Sequence, residues 1–212
     1  MIQINSLRKK FGNALSLDNI DLKINLGDCV ALMGPNGAGK TTLIRLILGY
    51  YHPTSGEVLI NGKNPIKDRT KVLRNISFVP QLPPPIKLSI EELMQYVCKS
   101  SGIEKSQIIH FAHEMDLDIE PNFGKSFFKL SGGMKQKMLI AISLARKGEI
   151  IIYDEPTANL DPKARDNFHK LLKQQDHPNI SLFVTHRLDE MQDIVNRQIY
   201  MDLGKIIDDD KI

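Results

Sequence analysis

The stretch Gly34-Pro35-Asn36-Gly37-Ala38-Gly39-Lys40-Thr41 has the residue types and spacing of a phosphate-holding turn. Its glycines let the backbone approach an anion, successive N–H groups and a helix N-terminus face it, and Lys40 adds a full positive charge beside β- and γ-phosphates. Thr41 offers a hydroxyl to Mg²⁺, and Thr42 follows it. Further along, Tyr153-Asp154-Glu155-Pro156 closes the apolar run Ile150-Ile151-Ile152. At a strand's end Asp154 can hold Mg²⁺ and Glu155 can take the proton of an attacking water. The chemistry these two stretches suit is hydrolysis of a nucleoside triphosphate.

A third stretch, Leu130-Ser131-Gly132-Gly133, opens a helix expected from Met134 and makes a second helix N-terminus able to hold an anion. One phosphate loop already surrounds the β- and γ-phosphates. The second device is explained economically if it faces the nucleotide of another copy in a head-to-tail dimer. Readers of guanine usually carry Asn-Lys-x-Asp; Asn159-Leu160-Asp161 lacks the lysine, so ATP is the expected nucleotide.

These residues need elements to position them. The first third alternates apolar runs with polar turns, which predicts mostly antiparallel β-structure wrapped around one buried strand, Cys29 to Met33. A helix over Thr41 to Leu48 stops at Gly49. A strand over Ile76 to Val79 is followed by Pro83-Pro84-Pro85, which force extended backbone. Ser89 and Glu92 have capping-box spacing ahead of the stripe Ile90, Leu93, Met94, Val97. Ile108, Ala112 and Met115 predict a further helix, and Met138, Ala141, Ile142 and Ala145 another, closed at Gly148. Ile150 to Tyr153 reads as a central strand. Asp161-Pro162 caps the next helix, Ser181 to Val184 is a core strand, and Leu188, Met191 and Val195 predict a last helix.

Composition narrows the class. The chain has 212 residues, 42% hydrophobic and 25% charged, which excludes disorder and suits one globular α/β domain. It lacks an apolar run of about 20 residues and a secretory start, so a cytosolic chain is expected. The charge balance, 28 − 25 = +3, argues against nucleic acid as partner. Cys29 and Cys98 lie too far apart in sequence for a CxxC motif and read as reduced, half-buried thiols. The Asp208-Asp209-Asp210-Lys211 run reads as a solvated tail.

Taken in order, GPNGAGKTT, Gln81, LSGGM, IIIYDEP, ANLD and His186 resemble the nucleotide-binding subunit of ATP-binding cassette (ABC) transporters, over nearly the whole chain. The resemblance implies an α/β fold: a P-loop NTPase (RecA-like) core, an N-terminal antiparallel β-subdomain, and an α-helical subdomain inserted at about residues 86–147, all in one cassette. It implies that Phe11 stacks on adenine and that Gly34 to Thr42 bind the phosphates. Gln81 would touch Mg²⁺ and the attacking water, with Thr41 and Asp154 as the other metal residues. Ser131, Gly132 and Gly133 would bind the γ-phosphate in trans. Asn159, Leu160 and Asp161 would line the dimer interface, Asp161 doubling as a helix cap, and His186 would contact the γ-phosphate and orient Glu155. ATP and Mg²⁺ are the implied cofactors. The implied partners are a second copy and a separate integral-membrane permease, placing the chain on the inner face of the cell membrane. Leu82 to Pro85 and Ile90 to Val97 are expected to dock the permease, so charge at Leu93 or Met94 should uncouple the two. The signature departs from the common form in having Met134 where glutamine is usual. The run SGGMKQK is similar to exporter cassettes, including those for drugs, haem or nitrous-oxide-reductase maturation. The alternative is a stand-alone cytosolic ATPase of the same superfamily.

Overall fold

A computed structural model describes residues 1–174, 179–186, 188 and 191–212. In chain order its elements are β1 (Ile2–Phe11), β2 (Ala14–Ile24), β3 (Cys29–Met33), α1 (Lys40–Ile47), β4 (Ser55–Ile60), α2 (Arg69–Arg74), β5 (Ile76–Val79), α3 (Ile90–Ser101), α4 (Lys105–Glu114), α5 (Gly132–Arg146), β6 (Ile150–Asp154), α6 (Pro162–Gln174), β7 (Ile180–Val184), β8 (Arg197–Asp202) and β9 (Lys205–Lys211). They fall into two compact units. One comprises Met1–Ile76, Glu149–Ile152 and His177–Ile212; the other comprises Ser77–Gly148 and Tyr153–Asp176. The division runs through β5 and β6 themselves.

In the first unit, β2, β1 and β4 form a three-stranded antiparallel sheet in that order, with Ile2 opposite both Ile24 and Ile60. Alternation drives it: Ile2 and Ile4 turn inward with Leu22, Ile24, Val58 and Ile60. β3 is not part of this sheet. It belongs to a six-stranded sheet ordered β5-β6-β7-β3-β8-β9, parallel to β7 and to β8. Cys29, Val30, Ala31 and Leu32 are all buried, because a strand with parallel neighbours on both sides has both faces covered. Burial also pushes the Cys29 thiol up to about 12. Cys98, in α3, is partly buried.

The acidic run near the end is not a tail. It forms β9, antiparallel to β8, and Arg197 holds it by a bidentate pair with Asp209, Nε–Oδ1 and Nη2–Oδ2 both 2.7 Å. The same guanidinium reaches Asp28 Oδ2 at 2.8 Å and the Lys23 carbonyl at 2.8 Å. The expected last helix is not seen among the described residues: 191–194 are turns, with Val195 N–H bonded to the Met191 carbonyl at 3.0 Å. Residues 187, 189 and 190 of that stretch lie outside the described set.

The second unit is built on helices. Its core joins Ile90, Met94, Ile108, Ala112, Met138 and Ala141, from the stripes that the helical spacing predicts, with Phe127, which that spacing does not mark. Ser89 and Glu92 make the expected capping box, and Gly102, at φ 74°, ends α3. Leu93 is 6% exposed and Met94 fully buried, so charge there would break the core and does not test docking. Exposed apolar residues along this part of the chain include Leu82 at 77%, Leu88 at 40% and Tyr96 at 66%. α5 starts at Gly132, two residues before the expected Met134, because Ser131 caps it by accepting the Met134 N–H at 3.2 Å. It ends on Lys147 at φ 46°, one residue before Gly148. No helix among the described residues is long and apolar enough to cross a membrane.

Candidate functional site

The first unit carries the phosphate loop between β3 and α1. Gly34, Gly37 and Gly39 have φ of 135°, 83° and 101°, values that side chains beyond glycine rarely take. Gly34 has a second reason to be glycine, since a Cβ there would lie 2.0 Å from the Met201 carbonyl oxygen. Behind the loop, the Gly204 N–H donates to the Ala38 carbonyl at 3.1 Å, and the Ser16 hydroxyl donates to Thr42 Oγ1 at 2.9 Å. β2 and the turn between β8 and β9 thus form its floor. Met201, Gly204 and Ser16 were not legible as site residues, because only the tertiary fold brings them beneath the loop.

The outer side is open. Pro35, Asn36, Gly37 and Thr41 are exposed, and a Cβ at Gly37 would meet nothing within 4 Å. α1 has neither a side-chain cap nor an acidic residue in its first turn, so the positive end of its dipole favours an incoming anion. Lys40 is buried, and its ammonium donates to the carbonyls of Gly34 at 2.6 Å and Pro35 at 2.9 Å. A helix start without a side-chain cap, a lysine beside loop carbonyls and two hydroxyls are a donor set that fits a polyphosphate.

Phe11, at the end of β1, is 44% exposed and meets Tyr51 edge-on with ring centroids 5.2 Å apart. Lys9 Nζ lies 4.8 Å from the Phe11 centroid and is anchored to the His52 carbonyl at 2.7 Å. Tyr51 was not singled out in the sequence, although the Tyr50-Tyr51 pair was the available signal. His186, two residues past β7, is exposed.

The second unit carries the remaining predicted residues. Asp154 ends β6, and Glu155 follows at φ 47°, a left-handed conformation unusual for a glutamate and the mark of an over-determined turn. Gln81 is exposed, and its carbonyl accepts from Asn159 Nδ2 at 3.1 Å. The Asn159 carbonyl in turn faces Gly133, where a Cβ would stand only 3.2 Å from it. Gln81, Gly133 and Asn159 are therefore brought together. Ser131 and Gly132 are exposed at the start of α5, and Leu160 is buried. Asp161 accepts the Ala164 N–H at 2.9 Å, as a helix cap should, and pairs with Lys137 at 2.9 Å. Lys137 first, then the Ala164 N–H, hold its carboxyl below the usual range.

Residues 17–158 match the family model described as ABC transporter. The bacitracin transport ATP-binding protein BcrA of Bacillus licheniformis is 34% identical over 215 residues; the alignment covers 99% of this chain and 69% of that protein. The sulfate/thiosulfate import ATP-binding protein CysA of Bradyrhizobium diazoefficiens is 33% identical, over 97% of this chain and 62% of its own length. Among solved structures, the ATP-binding cassette MJ0796, a dimer in a post-hydrolysis state with ADP and Pi, superposes with a TM-score of 0.83 and 27% identity, covering 100% of this chain and 98% of that one. The motifs, the fold and these likenesses agree, and the chain belongs to the ABC transporter family as an ATP-binding, ATP-hydrolysing cassette.

Proposed function

We propose that this cassette binds ATP at the interface of a head-to-tail homodimer and drives a separate transmembrane permease, in the direction of export. The observation that carries the ATP site is the phosphate loop: three glycines at positive φ, an α1 start with no side-chain cap, and Lys40 donating to the Gly34 and Pro35 carbonyls. Lys40 would trade the Gly34 and Pro35 carbonyls for phosphate oxygens, which are stronger acceptors. Phe11 would stack on the adenine, its ring steadied by Tyr51 and Lys9. Thr41, Asp154 and Gln81 would hold Mg²⁺, which neutralises charge on the phosphates. Glu155, set by its left-handed backbone, would take the proton of the attacking water, and His186 would orient it. Gly34 to Thr42 would act in cis, Ser131, Gly132 and Gly133 in trans, and Asn159, Leu160 and Asp161 at the dimer interface. The helical subdomain at about residues 86–147 would transmit closure to the permease, which would dock on Leu82 to Pro85 and on Ile90 to Val97 through the exposed Leu82 and Tyr96. On this reading the chain would sit at the inner face of the membrane through its permease.

Export rests on the SGGMKQK run. A similar relative named for import makes transport into or out of vesicles the deciding measurement. Glu155→Gln tests the core of the reading. It should keep ATP binding, slow hydrolysis by roughly 10² to 10⁴-fold, and trap a dimer with ATP and Mg²⁺. A variant that stays monomeric at high concentration, with permease present, refutes the composite site.

A further inference from the structure

Lys137 is a buried cation for which the nucleotide chemistry has no use. Its side chain is only 10% exposed, and it lies in the second turn of α5, the helix that starts with Gly132 and Gly133. A lysine is seldom kept in such a place unless paired, because taking an ammonium out of water is costly. Two carboxylates face it: Asp161 Oδ2 at 2.9 Å and Asp116 Oδ2 at 4.0 Å. It also donates to the Asp116 carbonyl at 3.3 Å. Asp116, just after α4, holds φ 58°, a left-handed conformation that aspartate tolerates better than most side chains. Lys163 closes the cluster from outside, 2.7 Å from Asp116 Oδ1.

The neighbours of these groups are the proposed site residues. Asp161 stands two residues past Asn159, the last residue of the turn 156–159; Asn159 Nδ2 is bonded to the Gln81 carbonyl and its own carbonyl sits against Gly133. Next to Lys137 in α5, Gln136 is buried and donates from Nε2 to the Pro80 carbonyl at 3.3 Å. Consecutive residues of one helix thus grip the stretch leading to Gln81 and the turn leading to α6. The Gly133–Asn159 contact permits little slip between these parts, since packed interfaces move between discrete arrangements.

We infer that Lys137 is a positioning residue: its ion pair with Asp161 fixes the Asn159–Asp161 segment to the helix carrying Ser131–Gly133, so that both meet the second copy's nucleotide in one geometry. The inference rests on the dimeric reading proposed above.

The experiment compares Lys137→Met, Lys137→Arg, Asp161→Asn and the Met/Asn double variant in the full chain. It measures kcat, KM, ATP affinity of the monomer, and dimer formation in the Glu155→Gln background. Lys137→Met should lower kcat roughly tenfold or more with monomer ATP affinity unchanged within about twofold. Lys137→Arg should retain most of the activity, and the double variant should be no slower than the worse single one, as expected for one shared contact. Asp161→Asn can still cap α6, and carries the test should Lys137→Met not fold. A purely structural lysine would lower stability and leave kcat per folded molecule unchanged. That result overturns the inference, as do effects that multiply in the double variant. If Glu155→Gln alone forms no ATP-dependent dimer, the dimeric reading fails and this inference with it. If that dimer forms while Lys137→Met hydrolyses normally, only the inference fails.

Discussion

Replacing Arg197 with methionine removes a guanidinium that makes four contacts at 2.7–2.8 Å: two to Asp209, one to Asp28 and one to the Lys23 carbonyl. Methionine can refill much of the volume, so the loss is chiefly electrostatic. Asp28, with its side chain 12% exposed, would be left without its ion-pair partner, bonded in its own segment to the Asn25 N–H. Breaking a buried pair from one side costs about 3–5 kcal/mol. Asp209→Asn leaves Asp28 paired and affects a side chain that is 32% exposed, so we expect about 1–2 kcal/mol. Arg197→Lys should fall between, since an ammonium cannot span both carboxylates as the planar fork does. The assay is urea unfolding at pH 7, followed by circular dichroism, with the linear extrapolation giving each free energy. For a chain of this length, 3–5 kcal/mol corresponds to a fall of about 10 °C in melting temperature. The reasoning is refuted if Arg197→Met costs less than about 0.5 kcal/mol, or if Asp209→Asn costs as much as Arg197→Met.

Four further outcomes follow from the same geometry. Lys40→Ala should weaken ATP binding by about 1.5–3 kcal/mol, read by equilibrium binding of a fluorescent nucleotide, because a charge-assisted contact is lost. Gly34→Ala should destabilise the loop, since its Cβ would stand 2.0 Å from the Met201 carbonyl; retained stability and nucleotide affinity would contradict that placement. In a thiol-labelling time course Cys98 should react before Cys29, which should wait for denaturant, as its thiol is buried and pushed up to about 12. Lys163 holds Asp116, and Lys137 holds Asp161, below the ordinary value of 3.8. For carboxyls depressed by folding, the stabilisation is present above that value and lost as pH falls through the folded one. The urea midpoint should therefore not vary from this cause between pH 5 and 8 and should drop below pH 4, less steeply in Lys137→Met.

Much of the site was legible because its chemistry is local. A phosphate loop needs glycines, a lysine and a helix start within a few residues, and strand, loop and helix follow one another from Cys29 to Ile47. The capping pairs Ser89/Glu92 and Asp161/Ala164 are equally short-range, and both formed. The short apolar run Ile150 to Tyr153, rich in β-branched residues, reads as a buried strand, and it is one.

What the sequence could not show depends on partners distant along the chain. Asp208 to Asp210 have a tail's composition, and they become a strand only because β8 offers a backbone edge and Arg197 a counter-charge. Cys29 to Met33 reads as a strand in any arrangement; that its neighbours are β7 and β8 rather than β1 and β2 depends on contacts more than 140 residues away, since β3 pairs Cys29 with Ser181. The floor of the phosphate loop at Ser16, Met201 and Gly204, and the grip of Lys137 on Asp161, have the same character. Residue type and spacing determined which groups could hold phosphate, metal and water. Tertiary structure alone decided which surfaces press on those groups, because steric contact and charge pairing act on distance in space and leave no periodic trace along the chain.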